Sequence, residues 1–168
     1  MHRLLSILFV LLFLPTSALG EGSSVKFIYS DLAFYIPAEA SIIGTKGGDE
    51  NFTFFRYSTN KGKDFLAFSD MSKDNSSHYG CDPQTFFGLL AGEPHPNDCN
   101  KSEVESFRQH FVGNSDKGRW NSAEFTVYYF VSAGQSFLFV FKDDKTIKID
   151  SDFLDKNELR DIVKHYLD

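Results

Sequence analysis

From Val25 onward the chain alternates short runs of Phe, Tyr, Ile and Val with small polar punctuation, and this two-residue period predicts strands. Val25 to Ser30 and Ala33 to Ile36 read as the first two, the second stopped by Pro37, which cannot donate to a ladder. Ser41 to Thr45 is a weaker strand. Lys46-Gly47-Gly48-Asp49 then turns into Asn51 to Ser58, and Thr59-Asn60-Lys61-Gly62-Lys63 turns into Asp64 to Asp70. The first half is expected to be a β-meander.

The period lengthens in the middle. Asp82-Pro83 offers a capping oxygen followed by proline at the first helical position, and Phe86, Phe87, Leu89 and Leu90 supply an apolar side before Gly92 ends the helix. Ser102 and Glu105 have capping-box spacing, with Val104, Phe107 and Phe111 recurring at helical intervals. Strands resume after Gly118, at Ala123 to Ser132 and Ser136 to Lys142, joined by Ala133-Gly134-Gln135. Phe137, Phe139 and Phe141 share one face of the latter strand and Leu138 and Val140 the other, so it expects apolar cover on both sides and a central place. Asp143-Asp144-Lys145 turns into a last strand, Thr146 to Asp150. Asp155 and Glu158 then form a second capping box ahead of Leu159, Ile162, Val163 and Tyr166 on one helical face.

Hairpin-length connections and clustered helices predict an α+β fold. The expected architecture is a mainly antiparallel sheet of about seven strands, two inserted helices, a C-terminal helix packed on the sheet, and one disulfide. Nineteen phenylalanines fall mostly at the alternating positions, which makes core filling their first role.

The opening residues stand apart from this pattern. Met1-His2-Arg3, the apolar run Leu4 to Leu14, Pro15 and Ala18-Leu19-Gly20 have the layout of a cleaved signal peptide, so residues 1–20 are expected to be removed, leaving 21–168 as one α+β domain. The run is shorter than the roughly 20 residues needed to span a bilayer, so no stable membrane anchor is expected. The destination is secretion, periplasmic in a bacterium and extracellular otherwise. Full-length net charge is −6, and loss of Arg3 makes the remainder one unit more negative. That balance argues against nucleic acid and favours a partner protein with a basic surface.

Export gives Cys81 and Cys99 their meaning, because two cysteines outside the reducing cytosol most often form a disulfide. The competing reading is a zinc-stabilised secreted domain, since His78-x2-Cys81 and His95-x3-Cys99 resemble two metal half-sites. Sulfur pairing is the expectation, with no metal and no cofactor.

Catalytic signatures are weak. Gly134-Gln135-Ser136 lacks the second glycine of a nucleophile elbow and sits in a hairpin. His110 and His165 fall near helix C-termini, where the dipole favours them. A reaction centre, if present, is best sought among His78, Tyr79, Asp82, His95 and Asp98, with histidine as base and a carboxylate orienting it. Asp150, Asp152 and Asp155 depart from calcium-loop spacing, and the glycosylation sequons at Asn51, Asn75 and Asn100 matter only in a eukaryotic host. The leading expectation is an exported, non-enzymatic interaction module binding another protein, of inhibitor or toxin-neutralising (immunity) type. Its candidate surface is Ser72 to Asn100, with Asp74, Tyr79, Asp82 and Glu93, joined by Trp120. The alternative is a small-ligand binder or hydrolase with an aromatic-lined pocket between helices and sheet.

Overall fold

The computed structural model describes residues 23–48, 51–73, 79–94 and 98–168. Strands β1 (Ser24–Tyr29) and β2 (Leu32–Pro37) form a separate hairpin. Its two-residue turn has positive φ at both Ser30 and Asp31, the primed geometry that matches strand twist. Strands β3 (Ile42–Lys46), β4 (Phe52–Arg56) and β5 (Phe65–Asp70) make a meander. Helices α1 (Pro83–Ala91) and α2 (Lys101–Phe107) follow, the latter running on into a wider π turn over Arg108–Val112.

The chain then returns at the far edge of the sheet. Strands β6 (Asp116–Asn121), β7 (Thr126–Ser132), β8 (Gln135–Lys142) and β9 (Lys145–Ser151) zigzag inward until β9 pairs with β5. The result is one antiparallel seven-stranded sheet of order β3-β4-β5-β9-β8-β7-β6. Helix α3 (Lys156–Val163) closes the chain. The α+β class, the antiparallel sheet and the disulfide expected from the sequence are all present.

Each face of this sheet carries its own apolar layer. On one, the β1–β2 hairpin and α3 pack over Phe55, Leu66, Phe68, Val127, Leu138, Val140, Ile147 and Ile149. Helix α3 is amphipathic, burying Leu159, Ile162 and Val163, and the Asp155/Glu158 capping box satisfies its first amides. On the other face, α1 and α2 pack over Tyr128, Phe130, Phe137, Phe139 and Phe141. Phe87 stacks on Phe139 at 3.8 Å, and Cys81–Cys99 ties the start of α1 to the start of α2. Strand β8 therefore has cover on both sides, as its uninterrupted apolar run requires.

Three local expectations need correction. The main sheet has the expected seven strands but a different membership, in part because β6 is hidden in the sequence: no strand is expected over Asp116–Asn121, yet its backbone pairs fully with β7. Gly118 is needed there, since a Cβ would collide with the Tyr129 ring and hydroxyl. The cap of α2 is Asn100, whose Oδ1 accepts from Ser102 N and Oγ; Ser102 and Glu105 do not make the expected box. The hairpin β1–β2 does not extend the meander either. It lies across the main sheet and is joined to it by side chains, including the Tyr57 hydroxyl donating to Pro37 O.

Candidate functional site

The helices cover only half of their face. Helix α1 reaches β6 and β7, while no helix lies over the β3-β4-β5 side among the described residues. Strand alternation sends Phe52, Phe54 and Arg56 of β4 and Phe65, Ala67 and Ser69 of β5 to this open half. Strand β9 adds Lys148 and Asp150. Register places them in rows: Phe52, Ser69 and Lys148 side by side, Phe54, Ala67 and Asp150 beside those, and Arg56 opposite Phe65. Together with Gly62 from the β4–β5 turn they enclose a cup of about 450 Å³. Gly44 on the neighbouring edge strand is part of the design, because a Cβ there would collide with the Phe54 ring.

The cup is apolar with a charged floor. Lys148 Nζ lies 2.7 Å from Asp150 Oδ1, with side chains 23% and 16% exposed, and sits 5.1 Å from the centre of the Phe137 ring. Burial pushes the Asp150 carboxyl above its ordinary value of 3.8, against the pull of Lys148. Arg56 is half-buried in the wall. Its Nε is inaccessible and without an acceptor, and no ion pair joins its guanidinium to a carboxylate among the described residues.

The sign of the pH dependence follows from the native state holding the Asp150 proton more tightly than the unfolded chain. The stability this group contributes is present below 3.8 and lost as pH rises through its raised value. Asp70 is the counterexample. Burial pushes it up, but hydrogen bonds from Ser30 and Ser72 and the charge of Lys145 outweigh that and hold it below 3.8. Its contribution is present above 3.8 and lost as pH falls through the lowered value. Carboxyl NMR titration should find Asp150 above, and Asp70 below, the ordinary aspartate midpoint. An Asp150 midpoint at or below that value would show that Lys148 governs the site.

The residues singled out by sequence do not assemble a reaction centre among the described residues. Asp74, His78 and His95, like the leader 1–20, lie outside the described residues. Tyr79 is buried, its ring 4.4 Å from Phe86. Asp82 caps α1 by accepting from Thr85 N, and Asp98 is exposed. Glu93 pairs with Arg119 at 2.8 Å and accepts from the Tyr128 hydroxyl. Trp120 stacks on Tyr129 at 4.6 Å. Cys81 and Cys99 are bonded to each other, which withdraws both sulfurs from the zinc reading. Ser136 is buried in β8, and His110 contacts Ser106 O. Asp150, Asp152 and Asp155 serve three separate sites: the Lys148 pair, the backbone amides of Asp64 and Phe65, and the α3 cap.

Sequence reasoning missed the cup. Its available signals were charged residues within strands: Arg56 in a strand otherwise rich in Phe, and Lys148 and Asp150 two apart, alternating with Ile147 and Ile149. A second concavity, of about 550 Å³ beside β2 and α3, is edged by Glu158, Asp161, Lys164 and Asp168 and is far more polar. No helix among the described residues is long and apolar enough to cross a membrane. No protein family, curated protein or solved structure was found to match the chain.

Proposed function

We propose that the protein is an exported binding module, without catalysis, that holds a small apolar ligand in the cup on the open half of its sheet. The observation that carries this reading is the half-covered face: three phenylalanine rings are left beside solvent where an apolar surface of that kind elsewhere in the fold is sealed by helices. The cup's volume suits a small molecule, and its walls stand on paired strands, which gives a preformed site. The disulfide supports export, since such bridges persist outside the reducing cytosol. A protein-binding role for 72–100 draws less support, because Tyr79 and Glu93 are engaged internally.

The test uses uncharged phenylnaphthylamine, whose fluorescence rises in apolar sites. The wild-type protein is expected to bind it, and Ser69→Trp, which fills the cup from a half-exposed position, to weaken that binding by about tenfold or more. Phe54→Ala, which removes a wall instead, should weaken it as well. Undiminished binding in both folded variants would place the dye elsewhere and defeat the proposal.

A further inference from the structure

The charges in the cup narrow the class of ligand. Lys148 and Asp150 compensate each other at 2.7 Å, which leaves Arg56 as the uncompensated charge of the wall. A guanidinium without a carboxylate, half-withdrawn from water among phenylalanine rings, is costly until an anion meets it. At the mouth, Gly62 is flanked in sequence by exposed Lys61 and Lys63, although the whole chain carries −6.

We propose that the cup selects a hydrophobic monoanion: a compact apolar body lying on Phe52, Phe54 and Phe65, with one carboxylate or sulfonate head held by the Arg56 guanidinium. This rests on the cup being a ligand site, and adds which ligand it takes. Arginine suits the task, because its planar fork matches a carboxylate or sulfonate edge and keeps its charge at any physiological pH. The Lys148–Asp150 pair has a different part. It fills the floor with a neutral unit, so the charge left to meet a ligand is that of Arg56.

Two dyes with one ring system separate this inference from the reading beneath it. Anilinonaphthalene sulfonate carries a single sulfonate, and phenylnaphthylamine is its uncharged parent. The wild-type protein is expected to bind the sulfonate about tenfold or more tighter, the scale of one hydrogen-bonded charge contact. Arg56→Gln should remove that preference, weakening the sulfonate about tenfold more than the neutral dye. Arg56→Lys should retain only part of it. If both dyes bind equally to the wild type, or Arg56→Gln weakens both alike, the monoanion assignment is wrong and the ligand-site reading stands. If neither dye binds, both fall together. Competition on the wild type alone, which needs no folded variant, decides the same point: naphthoate should displace bound phenylnaphthylamine more strongly than naphthamide, and equal displacement overturns the assignment.

Discussion

Phe68→Ala is expected to lower the unfolding free energy by about 3–5 kcal/mol, the range for deleting a buried aromatic ring. Phe68 is 0% exposed and stands where β5 meets the β1–β2 hairpin, its ring 5.0 Å from Phe27, 5.1 Å from Phe34 and 5.7 Å from Tyr29. The hairpin has no backbone ladder with the main sheet, so side chains such as this one hold it down. Removing the ring leaves a void that rigid strands cannot close and loosens the hairpin's seat. Urea denaturation would show the loss as a lower midpoint, and hydrogen exchange should speed up first in the hairpin amides. Phe54→Ala in the cup supplies the comparison. That ring borders solvent, so the same chemical deletion should cost far less stability while removing ligand affinity. A loss below about 1 kcal/mol for Phe68→Ala would mean that the hairpin layer contributes little to the core.

This contrast also marks what the sequence could reveal. Alternation shows which strand positions point together, so Phe137, Phe139 and Phe141 were legible as one face and Leu138 and Val140 as the other. The caps of α1 and α3 were legible because Asp82-Pro83 and Asp155…Glu158 act within a few residues. The cup depends on a different kind of fact. Whether a Phe face lies under a helix or beside solvent is decided by strand order, and the pairing of β5 with β9 joins segments about eighty residues apart in the chain. Phe54 and Phe87 therefore look alike in sequence, although one lines an open cup and the other is sealed against Phe139. Arg56, Lys148 and Asp150 are visible in the sequence only as charges within strands, and their convergence needs the same long-range pairing. Strand β6 escaped for the opposite reason. Its partner supplies the order that its own charged sequence does not signal.

Replacing both cysteines, as Cys81→Ser with Cys99→Ser, is expected to lower stability by about 3 kcal/mol on the chain-entropy account of a ring this size. In a chain of this length that corresponds to a melting temperature lower by roughly 6–12 °C. The two residues are 18 apart in sequence, and their bridge holds the first residues of α1 against those of α2. Asn100 N donating to Tyr79 O at 2.7 Å is a noncovalent tie across the same gap. Gly80 permits that approach, with a positive φ and no room for a Cβ against Asn100 N. The double variant leaves no lone thiol to pair between molecules. Thermal melts of oxidised wild type, reduced wild type and the variant should place the last two together, and three coincident melts would show that the bridge contributes nothing. The loss should fall on the helical layer, because none of the cup's lining residues belongs to α1 or α2. Below its own melting point the variant should therefore bind phenylnaphthylamine in the cup as the wild type does. The disulfide stabilises the covered half of the sheet face, while the paired strands β4, β5 and β9 shape the open half by themselves.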